Sequence, residues 1–511
     1  MTFHSILCER TEDSIKEETV AEPDFFVDLN LDQIIDSITA GKQEYNLKPF
    51  FHTSLYDIDA IKYRHEIMRD LENKILFEHI TSFAKAMRTM YEHLACADKF
   101  CYKYQKNRWF LDAVEIYCNA VNCLVSDLFP VDLKSSGFLL FREYLKDYTA
   151  SNPFLSLLAE TKTLITDLSG IRYCLLIKGN GITVRKYEDE MNYSTEVEKT
   201  FEKFKHGSVK DYRVEFSDWP EMNHVEAQIL DFVAQLYPEI FLNLENYCIA
   251  NINYMDNKLA IFNREIQFYV AYLEYVAIFK QAGLKFCYPK ISNKSKEVYN
   301  YEGFDLALAC KLITRDSSVV CNDFYLKDKE RIFIVSGPNQ GGKTTFARTF
   351  GQLHYLAGLG CPVPGREAQI FLFDRILTHF EKEETIENLH SKLEDDLFRM
   401  RSLLDRATSG SIIIVNEIFT STTLTDALFL FKNIMKQIIE LDLLCVCVTF
   451  IDELSNLNEK TVSMVSTVLP ENPACRTYKI VRRPADGRSY AISIAEKYRL
   501  TYDYLKERIK S

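Results

Sequence analysis

Residues 337–344 read GPNQGGKT and stand between a short apolar run, Arg331–Ser336, and the helix-prone stretch TFARTFGQLHYLAG. This is the frame G-x-x-x-x-G-K-[ST] in the strand, loop and helix setting that the frame requires. Gly337, Gly341 and Gly342, with Pro338, Asn339 and Gln340 between them, let the backbone wrap closely around a phosphate. Successive N–H groups and the positive end of the helix dipole then neutralise the anion. Lys343 is placed to reach β- and γ-phosphates, the Thr344 hydroxyl to ligate Mg²⁺, and Thr345 to open the helix beside them. By accident the frame arises on the order of once in a few hundred chains of this composition, and its flanks make chance rarer still. The loop therefore predicts a nucleoside-triphosphate site in a parallel α/β domain.

Such a loop needs a second strand that ends in polar groups beside it. SIIIVNEIF supplies one: Ile412–Val415 are apolar, and Asn416 and Glu417 follow. In phosphoryl-transfer sites an Asp commonly fixes the Mg²⁺ shell here, and a following Glu orients the attacking water. Asn416 can hydrogen-bond a metal-bound water or the Thr344 hydroxyl but brings no charge, so Mg²⁺ is expected to bind more weakly than to Asp. Glu417 is the general-base candidate and Lys343 the charge that assists it; the competing reading of Glu417 is a capping acid after a buried strand.

Glycine is scarce, at 17 of 511 residues, and nine of these lie in residues 331–511. The first two thirds are therefore expected to be mostly helical. Residues 1–330 hold 38 Lys and Arg against 51 Asp and Glu, whereas residues 331–511 hold 23 against 22. So acidic a first part argues against indiscriminate nucleic-acid binding, though not against a local or gated contact. The fourteen cysteines have no C-x-x-C spacing and read as reduced thiols; Cys445 and Cys447 alternate within the strand-like run LLCVCVTF. The N-terminus has acids where a signal peptide has bases, and no apolar run is long enough to span a membrane, so the chain reads as cytoplasmic.

Along the chain, residues 1–28 form an acidic lead-in, seven acids and two bases in the first 24, expected to be loosely ordered. From Leu29 the three- and four-residue spacing of apolar residues predicts a helical domain that continues to residue 303. It is interrupted at about 171–187, where β-branched residues flank Gly179-Asn180-Gly181 and predict a β-hairpin. Long helices are expected over about 222–282, the last from Asn251 to Ala282, rods of the kind that serve as struts or levers. From Phe304 to the end, strand and helix patterns alternate in the rhythm of a mostly parallel α/β sheet.

The segments after residue 331 resemble a known family. GPNQGGKT looks like the phosphate loop of the MutS-type mismatch-repair ATPases, and LAGLGCPVPG, SKLEDDLFRMRSLLDRATSGS, IIIVNEIFTSTTLTDAL, VTFIDEL and DGRSYAISIAEKYRL follow in the family's order. The resemblance covers the last 200 residues; upstream, the helical region is similar in layout to the family's core and lever domain. It implies an ABC-like ATPase head that binds ATP and Mg²⁺ and dimerises with each nucleotide between two subunits. In that frame Asn339 matches the family's loop asparagine, and Ser391 matches the signature serine that reaches the partner's γ-phosphate; its other reading is a plain helix cap. Val319 and Val320 stand where the family packs an apolar wall against adenine, although buried valines need no such role.

Three departures stand out. Asn416 replaces an Asp, and Phe450 replaces a His that senses the γ-phosphate; a phenyl ring cannot donate that bond, so slow hydrolysis or a retuned switch is expected. About 28 residues precede the helical core, with no Phe-x-Glu among them, too few for the family's mismatch-reading domain. The hairpin carries Arg172, Lys178, Arg185 and Lys186 and no acid. It reads either as a sequence-blind contact with nucleic-acid phosphates or as a hairpin whose charges keep its edge soluble. The leading reading is a homodimeric, nucleotide-gated DNA clamp that prefers branched or distorted duplex. The alternative is a nucleotide-gated scaffold for a protein or a ribosome, and a helical protein with an accidental loop stands third.

Overall fold

The computed structural model describes residues 3–9, 20–179, 181–189, 193–202, 222–381, 391–469, 471–485, 500–502 and 504–506. By their internal contacts the residues form two units. One comprises Met1–Phe3, Asn73–Leu133 and Leu139–Asn263; the other His4–Glu72, Lys134–Phe138 and Arg264–Ser511.

The first unit is helical. Helix Lys74–Lys99 starts where the Asn73 side chain accepts from the Ile75 N–H at 3.0 Å, and it buries Leu76, Ile80, Phe83, Met87 and Met90, the stripe that a 3.6-residue period predicts. Helix Lys103–Leu128 runs beside it, and each has 26 residues, a length of about 39 Å at 1.5 Å per residue. The helical stretch expected from residue 222 is two helices, His224–Leu236 and Pro238–Ala250. Pro238 has no N–H to continue the first helix and a fixed φ that suits the start of the next. The last rod begins at Asn257, not Asn251, because the Asp256 carboxylate accepts from the Leu259 N–H at 3.0 Å and caps it there. Strands Tyr173–Lys178 and Gly181–Lys186 pair antiparallel from Tyr173↔Lys186 to Lys178↔Gly181. That register leaves a two-residue link in which Gly179 takes a φ of 59°; Asn180 lies outside the described residues.

The second unit is built on a six-stranded sheet in the order Ile376–His379, Ile412–Asn416, Leu444–Val448, Ile332–Ser336, Thr461–Leu469, Asn472–Arg482. Every neighbouring pair is parallel except the last, which closes the edge antiparallel. Ile332–Val335, Ile412–Val415 and Leu444–Val448 are buried along their whole length, as strands covered on both faces must be. Cys445 and Cys447 lie in this sheet as free thiols. A four-stranded mixed sheet adjoins in the same unit. Its strands Lys290–Ser292 and Val298–Gly303, which precede residue 304, both pair with Glu367–Phe371.

From His4 the beginning of the chain also belongs to this unit and is not a loose lead-in where it is described. Glu265 accepts from Ser5 Oγ at 2.7 Å and from the Ile6 N–H at 2.9 Å, and Tyr269 OH donates to Ile6 O at 2.7 Å. Ile6, Leu7 and Cys8 are buried, so the acids that dominate the composition of residues 1–24 mask an apolar start. Farther on, Arg348 Nε donates to Asp28 O at 2.8 Å and Gln352 Nε2 to Leu29 O at 2.9 Å, which ties residues 28–29 to helix Lys343–Gly358. Among the described residues no helix is long and apolar enough to cross a membrane. The stretch DGRSYAISIAEKYRL lies outside the described residues but for Leu500.

Candidate nucleotide-binding site

The central strand Ile332–Ser336 delivers the glycine loop to the carboxyl edge of the sheet, and helix Lys343–Gly358 leaves from it. Gly337, Gln340 and Gly342 have φ values of 110°, 59° and 90°, the left-handed conformations that curl successive amides around one centre. Gly341 is needed for space: a Cβ there would lie 2.1 Å from Ser466 Oγ, which donates to Gly341 O at 2.7 Å, and 2.9 Å from Pro338 O. Arg476 Nε, on the antiparallel edge strand, donates to Asn339 O at 3.1 Å and braces the loop from outside.

Lys343 is 4% exposed, and a charge so buried needs partners. Its ammonium donates to Gly337 O at 3.0 Å and Asn339 Oδ1 at 3.2 Å, and lies 3.3 Å from Glu417 Oε1. Thr344 Oγ1 donates to Asn416 Oδ1 at 2.8 Å. Residues 72 positions apart in sequence thus meet because the strands that lead to them, Ile332–Ser336 and Ile412–Asn416, flank Leu444–Val448 in one sheet. Asn339, Gln340, Lys343, Thr344, Thr345 and Glu417 border a cavity of about 540 Å³, completed by Leu308 and Tyr478.

Leu308 and Tyr478 have no counterpart among the residues the sequence pointed to. Tyr478 is 53% exposed and has a φ of 58°; Asn322 Nδ2 donates to its carbonyl at 3.1 Å. Leu308 sits in the first turn of helix Leu306–Ile313, and its N–H donates to Asp305 Oδ1 at 2.8 Å. Val319 and Val320 are half-buried before strand Asn322–Leu326 and are not part of this lining. No sequence signal distinguishes Tyr478 from its neighbours, since its position depends on the antiparallel return of a strand.

Residues 333–507 match the family model described as MutS domain V. Over that segment the chain belongs with the MutS family. A DNA mismatch repair protein MutS of Thermosipho melanesiensis is 30% identical over 186 residues, 35% of this chain and 22% of that protein. An Endonuclease MutS2 of Thermus thermophilus is 29% identical over 189 residues, 37% of this chain and 25% of the relative. A longer match, 22% identical over 414 residues, covers 80% of this chain and 45% of a DNA mismatch repair protein MutS of Borreliella burgdorferi. The chain thus spans less than half the length of these relatives.

Within this MutS domain V, Ser391 is the N-cap of helix Lys392–Arg406 and accepts from the Glu394 N–H at 3.4 Å; residues 382–390 before it lie outside the described residues. Phe450 is 48% exposed beside Thr449, whose N–H donates to Val335 O on the loop-bearing strand. In the other unit, Arg172 and Lys178 are exposed, Arg185 is half-buried, and Lys186 Nζ lies 5.1 Å over the Tyr237 ring. The hairpin is more apolar than its charges suggested: Leu175, Leu176 and Ile177 are exposed, Ile177 to 74%.

Proposed function

We propose that this chain binds ATP and Mg²⁺ at the glycine loop, hydrolyses ATP slowly, and acts as a homodimeric, nucleotide-gated clamp on DNA. The observation that carries the reading is the meeting of Lys343, Thr344, Asn416 and Glu417 under one cavity at the carboxyl edge of a parallel sheet. The residues fit the ligand. Lys343 would exchange its loop carbonyls for phosphate oxygens, Thr344 and Asn416 would hold the ion or its waters, and Glu417 would take the proton of the attacking water. Mg²⁺, once held there, would supply positive charge against that of the phosphates. Kinship with MutS and MutS2 supports DNA as the ligand of the other unit, with branched or bent duplex favoured over a mispair.

The test begins with a fluorescent ATP analogue and steady-state hydrolysis. Lys343→Ala is expected to weaken nucleotide binding about 10- to 100-fold, the worth of a charge-assisted contact. Glu417→Gln is expected to keep binding and lower turnover by about 10²-fold or more. Fluorescence anisotropy with homoduplex, mismatched, four-way-junction and single-stranded DNA, at one salt concentration and with no nucleotide, ADP or a non-hydrolysable ATP analogue, tests the clamp. Preference for the junction that changes with nucleotide supports it; binding to no DNA in any state sinks it.

The exposed Leu175, Leu176 and Ile177 favour a second reading, in which ATP gates a scaffold for a protein partner. Absence of DNA binding together with retained ATP binding would select it.

A further inference from the structure

The turn that carries Glu417 is held from outside the loop. Glu417 and Phe419 both have positive φ, 51° and 60°, a conformation that residues other than glycine abandon unless fixed. The Phe419 N–H donates to Asp396 Oδ2 at 3.2 Å. Asp396 belongs to helix Lys392–Arg406, five residues after Ser391 at its cap, and is 6% exposed. Its other oxygen lies 3.3 Å from Nε2 of His379, at the end of strand Ile376–His379. The Phe419 ring meets Phe431 edge-on and sinks into the cluster formed with Ile418, Met400 and Leu377, so the turn is clamped by its side chain and clasped by its backbone. Burial raises the Asp396 carboxyl above the usual range, while the Phe419 amide, Arg399 and Lys392 favour its charged form.

We propose that Asp396 is a positioning residue for Glu417: it fixes the turn that aims the carboxylate and ties that turn to the helix capped by Ser391. The inference rests on the hydrolysis reading above. Asp396 borders neither the loop nor the cavity, so its removal is expected to change the rate of the chemical step and leave nucleotide affinity alone. A residue that only satisfied a buried amide would instead lower stability and affinity together.

The experiment uses the full chain with Asp396→Ala and Asp396→Asn, and reads three quantities. These are kcat at saturating Mg-ATP, the Kd of a fluorescent ADP analogue, and hydrogen–deuterium exchange of the amides in residues 416–423. Asp396→Ala is expected to lower kcat about 10- to 100-fold, shift Kd less than about twofold, and speed exchange at Phe419. Asp396→Asn, whose carbonyl still accepts from that N–H, is expected to recover most of both losses. Should the alanine variant fail to fold, Asp396→Ser, too short to reach the amide, takes its place. Unchanged exchange overturns the inference; so does faster exchange with unchanged kcat, or a joint loss of kcat and affinity. An unsubstituted chain that binds the analogue but never turns over would sink the hydrolysis reading instead. Faster exchange at Phe419 in Asp396→Ala would then still support the clasp, and unchanged exchange would overturn it.

Discussion

Tyr478 offers an aromatic face at the mouth of the loop cavity, where an adenine ring has nowhere else to stack but Leu308 among the bordering side chains. Stacking of a base on an aromatic ring is worth about 1–3 kcal/mol by alanine substitution, so Tyr478→Ala is expected to weaken ATP and ADP binding by about 5- to 150-fold and Tyr478→Phe hardly at all. Equal affinity in the alanine variant, read by titration with a fluorescent analogue, would place the base elsewhere. At Asn416 the expected change has the opposite sign. The amide oxygen already accepts from Thr344, and Asn416→Asp puts a full charge there at similar geometry. At an effective dielectric of about 20 a unit charge about 4 Å from a cation is worth up to ~4 kcal/mol, so the Mg²⁺ concentration for half-maximal hydrolysis is expected to fall by at least about tenfold. An unchanged Mg²⁺ requirement with negligible turnover would favour the scaffold. That Lys343, Thr344, Asn416 and Glu417 meet was legible in the sequence, because a phosphate loop and a polar strand end have only one way to share a parallel sheet. Tyr478 was not, because its place comes from a hairpin return and a positive φ that no residue pattern announces.

Two helices end in the same device, and they differ in one respect that can be measured. After helix Lys343–Gly358, the Gly360 N–H donates to Ala357 O and the Cys361 N–H to Leu356 O; after helix Asn257–Gln281, Gly283 and Leu284 do the same to Lys280 O and Phe279 O. Both glycines take a left-handed φ, 75° and 83°, as this terminator requires. A Cβ on Gly283 would meet nothing within 4 Å, whereas on Gly360 it would lie 2.8 Å from Arg64 Cβ. Arg64 is buried and donates to Leu7 O at 3.1 Å and to Leu359 O at 2.8 Å, so it cannot yield without loosening the start of the chain. Gly283→Ala is therefore expected to cost only the conformational term, about 1–2 kcal/mol. Gly360→Ala adds about 1–3 kcal/mol of overpacking, read as the larger drop in the urea midpoint. Equal losses would mean that Arg64 moves freely. At this scale the sequence was a good guide to where helices stop, since Gly283 follows the last apolar turn directly. It was a poorer guide to where they start or break: Asp256 and Pro238 settle those points, and a periodicity spread over 30 residues runs past both.

Over the whole molecule the least legible fact is that residues 4–72 join the unit that holds the loop, since nothing local to them records a partner some 300 residues away. Two histidines buried in that unit give a test of its packing. His65 stacks edge-on against Tyr288 with Arg69 nearby, and His354 packs inside helix Lys343–Gly358 with Nδ1 on Phe350 O at 2.8 Å. Burial, the largest cause in each case, holds both near a pKa of about 4, against 6.5 for an exposed imidazole; Arg69 adds to the shift at His65, and the Phe350 bond opposes it at His354. The folded chain therefore binds fewer protons than the unfolded one between these values. Stability is fully present above about pH 6.5 and is lost as pH falls toward about 4, by up to ~3 kcal/mol per histidine. Burial acts the other way on Glu265, Asp305 and Asp396, whose raised carboxyls favour the folded chain on acidification. The two effects separate in the variant His65→Phe/His354→Phe. Urea midpoints from pH 7 to pH 4.5 are expected to fall steeply in the unsubstituted chain and to flatten in the double variant, where the raised carboxyls of Glu265, Asp305 and Asp396 oppose the lowered ones of Glu330 and Asp442. The same slope in both proteins would mean that the imidazoles gain protons in the folded state, and that the core between the start of the chain and the loop helix is open to water.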